Sequence, residues 1–339
     1  MHTDIQPARK RFHPAAGLAA ATVLLLLSLA LSLAYGQADI SLRSVLGALT
    51  DFDGSPAQII VRTVRVPRAL IAMMVGSSLG VAGALMQALT RNPLASPGTL
   101  GVNAGAAALV VVAVFLFRLP SLTMYAWFAF AGAGLTALFV YALAGAGRRA
   151  VTPLRLTVAG AAVTALLASV TQAVMVINER TLDEIRFWLA GSVAGRDFGI
   201  LLQVLPYMLL GLIGALALAR QITILSLGED VAKGLGQQTA WIKGAAVVLI
   251  VLLAGSAVAA AGPIGFIGLA VPHISRWIAG TDYRWVLPYT AVLGAVLLLL
   301  ADVGARFVIF PEEVPVGVMT ALVGAPFFIW LARREVKRG

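Results

Sequence analysis

Long apolar runs alternate with short polar breaks along the whole chain. Each run holds about 20 residues, enough for a helix that crosses about 30 Å of hydrocarbon. Clusters of Gly, Pro and charged residues separate the runs. The pattern predicts ten membrane spans, the eighth short enough for a partial crossing, at residues 15–35, 66–89, 98–117, 121–145, 152–177, 199–219, 243–261, 265–279, 286–309 and 315–332.

Composition supports helices that cross a membrane. Of the 339 residues, 60% are hydrophobic and 12% are charged, whereas a water-soluble chain carries about 25% charged residues. The short alternating segments of a membrane β-barrel are absent from the sequence. We therefore predict an all-α fold, a polytopic helical bundle in which one transmembrane domain, 15–334, lies between tails at 1–14 and 335–339.

The first predicted span follows Arg9, Lys10 and Arg11 and so resembles the start of a signal peptide. Its apolar stretch is longer than an ordinary signal-peptide core, and no convincing A-x-A cleavage site follows it. We predict an uncleaved first helix, and a cleaved signal peptide is the alternative.

The basic residues predict the orientation of the bundle. If the N-terminus is cytoplasmic, the opposite side holds nine basic and ten acidic residues, and the cytoplasmic side holds the other sixteen basic residues and only five acids. The positive-inside rule then places both termini in the cytoplasm. The net charge of +10 is therefore a topology signal, and no basic run interleaved with aromatic residues suggests nucleic acid. The cytoplasmic basic residues are Arg9, Lys10, Arg11, Arg91, Arg148, Arg149, Arg155, Arg220, Lys233, Lys243, Arg276, Arg284, Arg333, Arg334, Lys337 and Arg338.

The predicted spans carry little chemistry of their own. There is no Cys for a disulfide or a thiolate metal site, and no H-E-x-x-H or G-x-x-x-x-G-K-[ST] motif. An intramembrane enzyme therefore has little support, and any ATPase must be a separate chain. Asp302 is nearly the only acid within a span, and it stands four residues before Arg306, so a local ion pair is the simplest interpretation. His273 favours a structural hydrogen bond over metal ligation.

Two polar stretches are candidates for contacts with partners. Residues 220–242 form the longest predicted cytoplasmic loop, in which glycines surround the short helical piece "EDVAKGL". Such a loop either docks a partner or simply connects two spans. Arg65 and Arg68 open the second span, where they either extend to lipid headgroups or pair with carboxylates of a docking protein.

Four motifs follow one another in an order that resembles a known family. They are "RVPRALIAMMVGSSLGVAGALMQALTRNPLASPGTLGV", "LSLGEDVAKGLG", "GPIGFIGLAVPHISRWIAGTDYRWVLP" and "ADVGARFVIFPEEVPVGVMTALVGAPFFIWLARR". Together they resemble the FecCD family, the permease subunits of ABC importers for ferric siderophores, haem and vitamin B12. The segments "IRFWLAGSVAGRDF" and "NPLASPGTLGVN" are most similar to the ferric-citrate and hydroxamate branch.

The resemblance implies an assembly and a mechanism. It implies ten helices per subunit and a second permease, either identical or a paralogue, around one path. Two cytoplasmic ATPase subunits would use ATP and Mg, a binding protein would deliver an iron–siderophore complex from outside, and this chain would bind no cofactor or metal. The location implied is a bacterial-type cytoplasmic (inner) membrane. The alternatives are haem or vitamin B12 as cargo and, more remotely, a self-sufficient secondary transporter, although buried acids are scarce.

The resemblance also implies roles for individual residues. Arg65, Arg68 and Arg306 would pair with acidic residues of the binding protein. Asn92, Pro93 and Leu94 would form one cytoplasmic constriction, and a second would lie at Thr152, Pro153 and Leu154, where the sequence departs from the commoner small polar pattern. The ATPase coupling loop would comprise Ser226, Leu227, Gly228, Glu229, Asp230, Val231, Ala232, Lys233, Gly234, Leu235 and Gly236.

Overall fold

A computed structural model describes residues 14–118, 121–146, 152–309 and 311–336. Over these ranges the chain is helical, and an isolated bridge joins Ile309 to Glu312. The predicted tails lie outside the described residues except for Pro14, Glu335 and Val336. Seven basic residues used for the orientation also lie outside them, namely Arg9, Lys10, Arg11, Arg148, Arg149, Lys337 and Arg338.

Sixteen α-helices lie within the described ranges. They are α1 (Pro14–Ala34), α2 (Leu42–Thr50), α3 (Pro56–Ile60), α4 (Val66–Thr90), α5 (Val102–Phe117), α6 (Leu122–Ala144), α7 (Pro153–Ile177), α8 (Glu179–Leu189), α9 (Phe198–Ala217), α10 (Ala219–Ser226), α11 (Glu229–Gly234), α12 (Thr239–Ile250), α13 (Ser256–Ala261), α14 (Ile267–Ala279), α15 (Tyr283–Ala305) and α16 (Val316–Val336). One-turn π-helices at Val61–Arg65 and Val251–Gly255 join α3 to α4 and α12 to α13, so each pair continues as one long helix.

A helix overlaps each of the ten predicted spans. By length and composition, seven helices of the described chain are able to cross a membrane: Pro14–Ala34, Pro56–Thr90, Leu122–Ala144, Pro153–Ile177, Phe198–Ala217, Thr239–Ala261 and Tyr283–Ala305. The other three segments are shorter, namely Val102–Phe117, Val316–Ile329 and the 13-residue α14. The all-helical membrane fold is confirmed, and the number ten remains a prediction. Four helices outside the spans, α2, α3, α8 and α10, were not predicted.

Helix α4 forms the centre of the bundle because most of its side chains are buried. Small residues let its neighbours approach at backbone distance. Gly76 faces Gly294 of α15, and Gly83 faces Gly268 of α14. In contrast, α1 and α7 expose most of their apolar side chains. The buried core is therefore built on α4, α14 and α15, and the exposed helices are left to meet lipid or another subunit.

Gly83 gives a direct test of this packing. A Cβ added at Gly83 would lie 1.8 Å from the carbonyl oxygen of Gly268, so Gly83→Ala must push α4 and α14 apart, at a cost of about 1–3 kcal/mol. At Gly244, in α12, an added Cβ meets nothing within 4 Å. We expect Gly83→Ala to lower the thermal unfolding midpoint in detergent, while Gly244→Ala leaves it equal or raises it. Equal midpoints for Gly83→Ala and wild type would show that the contact is not tight.

Gly76–Gly80 matches the spacing G-x-S-x-G of a hydrolase nucleophile elbow. An elbow needs a sharp turn between a strand and a helix, which exposes the serine. These residues instead lie inside α4, where Ser78 is fully buried. The spacing therefore serves helix packing and presents no nucleophile.

Candidate functional site

Three arginines and two acids meet where α4 begins and α15 ends, and we call Arg65, Arg68, Asp302, Arg306 and Glu313 the arginine cluster. Arg65 closes the π-helix before α4, and Arg68 lies in the first turn of α4. Asp302 lies in the last turn of α15. The antiparallel packing of α4 and α15 brings these residues together, although more than 230 positions separate Arg68 from Asp302.

Asp302 is the centre of the cluster, because it is 1% exposed and binds two guanidinium groups. Arg68 donates Nε and Nη2 to Asp302 at 3.0 and 2.8 Å, and Arg306 donates Nη2 to Oδ2 at 2.5 Å. The remaining Nη1 of Arg68 donates to Glu313 at 2.7 Å. The buried carboxylate of Asp302 thus accepts hydrogen bonds from two buried guanidinium groups. Glu313 supplies a second carboxylate for Arg68.

The other arginine contacts hold the end of α1. Arg65 donates to the carbonyl oxygens of Leu33, Ala34 and Ala38 at 2.5–2.8 Å. Arg306 donates to the carbonyl oxygens of Ser32 and Tyr35. The last carbonyls of a helix lack intrahelical partners and carry partial negative charge. The two guanidinium groups therefore cap α1 and tie it to α4 and α15.

The structure brings the three predicted docking arginines together, but it places them in the interior. Their relative exposures are 4% for Arg65, 8% for Arg68 and 2% for Arg306. The predicted pair of Asp302 with Arg306 is present, whereas the second partner, Arg68, was not predicted. Docking through these arginines remains a prediction, and it requires incoming acids to compete with Glu313 and the α1 carbonyls.

The predicted coupling loop is a pair of short helices, α10 and α11, joined by a glycine turn. Gly228 and Gly236 have φ values of 129° and 79°, which favour glycine. Glu229 binds Lys243 at 2.6 Å and Lys233 at 3.1 Å. The hydrogen bond from Lys243 is the largest cause of a lowered pKa for Glu229, with Lys233 adding to it against the effect of burial. These contacts hold α11 against the start of α12.

The coupling loop and the first turn of α12 carry four exposed apolar side chains, which we call the apolar patch. Leu227 and Leu235 are each 64% exposed, and Val231 and Trp241 are also largely exposed. A short, otherwise polar segment with this much exposed apolar surface is typical of a contact for another protein. The patch is the most suitable part of the loop to bind a partner.

The pair of Glu229 with Lys243 predicts a pH dependence. The folded-state pKa of Glu229 lies below its usual value of 4.5, so the stabilisation is present above pH 4.5 and is lost as the pH falls through the lowered folded-state pKa. We expect Glu229→Gln to be less stable than wild type at pH 7, by up to about 1 kcal/mol. That difference should shrink in unfolding measurements below pH 4.5. The matched change Asp230→Asn, at an exposed neighbour, should show no such trend; a pH-independent loss for Glu229→Gln would contradict the ion-pair assignment.

The predicted constrictions lie at the same end of the bundle as the coupling loop. A Cβ added at Gly228 would lie 3.8 Å from Arg91 Nη1, and Arg91 ends α4 in the left-handed conformation. Asn92 then accepts a hydrogen bond from the Leu94 amide at 2.9 Å, which closes a tight turn. Leu94 is left about half exposed at the tip of that turn.

The second predicted constriction, at residues 152–154, lies where α7 begins. The Thr152 side chain caps α7 by accepting from the Arg155 amide, with Pro153 at the first helical position. Leu154 is exposed. Gly160 of α7 packs against the Thr99 carbonyl in the short 3₁₀ turn Pro97–Leu100, because a Cβ there would lie 1.8 Å from the oxygen. The two predicted constrictions are thus on neighbouring elements, with their leucines exposed.

A polar contact near this turn was missed at the sequence level. Gln87, buried in α4, accepts a hydrogen bond from Arg276 Nη2 at 2.6 Å and donates to the Leu269 carbonyl at 3.2 Å. It lines a cavity of about 210 Å³ together with Arg91, Pro93, Ser226, Tyr283 and others. The one sequence signal was a glutamine inside the apolar run "ALMQAL". The contact links the end of α4 to α14, beside the coupling loop.

His273 lies on α14, where its ring meets Trp277 edge-on with 4.8 Å between centroids. In the part of the chain that the structure describes, no group of three or more His, Cys, Asp or Glu residues is placed to hold a metal ion.

The chain is similar to known proteins over most of its length. The FecCD transport family matches residues 24–334. The chain is 49% identical over 314 residues to the "Probable siderophore transport system permease protein YfiZ" of Bacillus subtilis (strain 168), with 93% of this chain and 94% of the relative covered. It is 42% identical to the "Ferric enterobactin transport system permease protein FepD" of Escherichia coli (strain K12), with 94% and 95% covered.

A solved structure has the same fold. It is described as an inward-facing conformation of an ABC transporter of the metal-chelate type. It aligns with a TM-score of 0.80 at 30% identity and covers 94% of this chain and 99% of its own.

Proposed function

We propose that the cargo of this chain is an iron–siderophore complex. The premise is that the chain belongs to the FecCD transport family and is a permease subunit of an ABC importer. The observation that carries this proposal is the 49% identity to a siderophore permease over 93% of the chain. A permease named for ferric citrate and one named for iron-hydroxamate follow at 44% and 43% identity. A hemin permease of Yersinia pestis is 39% identical over 80% of the chain, which supports haem less well.

The cargo is tested by growth. Cells whose only iron permease is this chain, with its own partners, should grow on a ferric hydroxamate or ferric citrate as the sole iron source. They should not grow on haem alone. Growth on haem but on neither siderophore would contradict the proposed cargo, and it would not affect the family membership.

The proposed assembly contains two permeases, two ATPase subunits and a binding protein, set in a bacterial cytoplasmic membrane. The chain would cross that membrane ten times with both termini in the cytoplasm. Two observations support this orientation. The end of the bundle with the coupling loop is rich in Lys and Arg, and it carries the apolar patch suited to an ATPase. ATP and Mg would bind to the ATPase chains and not to this one.

The geometry suggests how these partners act. A loaded binding protein would dock at the arginine cluster, where its carboxylates would exchange with Glu313 on Arg68. ATP binding would close the ATPases and move α10 and α11. Because Arg91 lies beside Gly228, that movement would reach the turn at Asn92 and Leu94 directly. The inner constriction and the outer opening would then exchange states.

The gate at Leu94 predicts a cross-link that depends on nucleotide. The chain has no cysteine, so Leu94→Cys supplies one thiol per copy. In an assembly of two identical permeases, we expect a disulfide between the two copies in one nucleotide state and its loss in the other. Leu26→Cys, on the exposed side of α1, is the matched control and should not cross-link. Equal cross-linking of Leu94→Cys with and without ATP would leave the turn as a connector.

A further inference from the structure

Helix α2 presents three different faces along its nine residues. Val45 and Ala48 are buried on one face. Leu42, Leu46 and Leu49 follow one another at spacings of four and three residues, so they share a second face. Their exposures are 68%, 63% and 51%. The third face is polar.

On the remaining side Arg43 and Thr50 are exposed, and Gly47 packs against Gln58, because an added Cβ would lie 2.7 Å from Gln58 Nε2. Ser41 caps the helix by accepting a hydrogen bond from the Ser44 amide. A short helix with one face on the protein, one exposed apolar face and one polar face suits a boundary between hydrocarbon and water. In water alone, three neighbouring exposed leucines would be an unfavourable surface.

The buried face of α2 fixes where the helix lies. Val45 and Ala48 pack with Ile40 and Val61, and Leu33 of α1 packs against the same small cluster. The helix therefore sits against the end of α1 and the start of the long α3–α4 helix, at the level of the arginine cluster. The exposed side of α1, with Leu27 and Leu31, leads to this position.

The surroundings of α2 match the headgroup region of a bilayer. Tyr35, just past the end of α1, is exposed, and aromatic residues at span ends are typical of the membrane interface. Arg62 donates Nε to the Ala48 carbonyl and stacks over the exposed ring of Phe52, with 4.1 Å from Cζ to the ring centroid. Arg62 and Arg43 are both exposed, so they are able to meet lipid phosphates.

We infer that α2 is an interfacial helix whose Leu42, Leu46 and Leu49 are embedded in the lipid bilayer at the arginine end of the bundle. The occupant of this face is lipid because the residues that border it, Tyr35, Phe52, Arg43 and Arg62, are the aromatic and basic types found at the headgroup region of a bilayer. The embedded helix would hold the α1–α4 junction, and with it the arginine cluster, at a fixed depth. This inference is independent of the cargo and of the other subunits.

Spin-label accessibility in nanodiscs of phosphatidylethanolamine and phosphatidylglycerol tests the inference on the full chain. Leu49→Cys and Arg43→Cys are labelled separately, since the chain has no other thiol. These two positions are six residues apart, so they point about 120° apart around the helix. We expect the ratio of oxygen to nickel-chelate accessibility to be several-fold higher at 49 than at 43. Leu46→Cys repeats the measurement on the apolar face, and Leu26→Cys gives the value for an exposed position on α1.

Two results would overturn the inference. Equal low ratios at 49 and 43 would place the helix in water. A label at 46 that is open to the nickel chelate until a binding protein is added would show that the face binds a protein and not lipid. A high ratio at both 46 and 49, unchanged by a binding protein, supports the inference.

Discussion

Asp302→Ala should be the most damaging single substitution in the arginine cluster. It leaves Arg68 and Arg306 in the protein interior without the carboxylate that compensates both. Removing one partner of a buried ion pair costs about 3–5 kcal/mol, because the remaining charge has lost its water and gained no replacement. We expect a large fall in the thermal unfolding midpoint in detergent and little folded protein in membranes.

The exposed ion pair of Arg180 with Glu184 is the control that separates the effect of burial from the effect of losing an ion pair. Its side chains are 69% and 32% exposed, and its contact distance of 2.9 Å is similar to those in the cluster. Glu184→Ala should change stability by less than about 0.5 kcal/mol, as is usual for a helical surface pair. An Asp302→Ala protein as stable as Glu184→Ala would mean that the arginines reach water and that the buried cluster is wrong.

The double substitution Leu227→Asp and Leu235→Asp should abolish transport without unfolding the chain. Both leucines are 64% exposed, so the substitutions remove little packing within this chain. At a protein interface each charge would be buried against apolar surface. Losses of about 2 kcal/mol or more per residue are usual at interface hot spots, roughly 30-fold each in affinity. We expect the ATPase no longer to co-purify and uptake to fall to background.

Phe187→Asp is the matched control for the apolar patch. Phe187 is 65% exposed on α8, which follows the end of α7 far from the coupling loop. The same change of chemistry there should leave ATPase co-purification intact. If the double variant kept its ATPase, the patch would be a solvated connector and the site of coupling would have to be sought elsewhere.

Helix positions were largely predictable because hydropathy depends only on local sequence. The predicted span 152–177 became Pro153–Ile177, and 121–145 became Leu122–Ala144. Helices α2 and α8 were missed because each is short and amphipathic, and neither forms an apolar run. The glycine breaks of the coupling loop were recognised, and Gly228 and Gly236 have the positive φ that such breaks require.

The candidate site was predictable only where partners are neighbours in sequence. The spacing of Asp302 and Arg306 indicated their ion pair. No local pattern connects Arg68 with Asp302, or Arg65 with the carbonyls of Leu33 and Ala34, because those contacts depend on how α1, α4 and α15 pack. An arginine at a helix start looks exposed in the sequence, and here the tertiary fold buries it.

Uptake of an iron-loaded siderophore into proteoliposomes tests directly whether this chain is the permease of an ATP-driven importer. The vesicles hold this permease with its ATPase on the inner side, and the binding protein is added outside. We predict uptake that requires ATP and Mg inside the vesicles and that stops when the ATPase or the binding protein is left out. Uptake by the permease alone, driven by a proton gradient with no ATPase present, would show instead that the chain is a self-sufficient transporter.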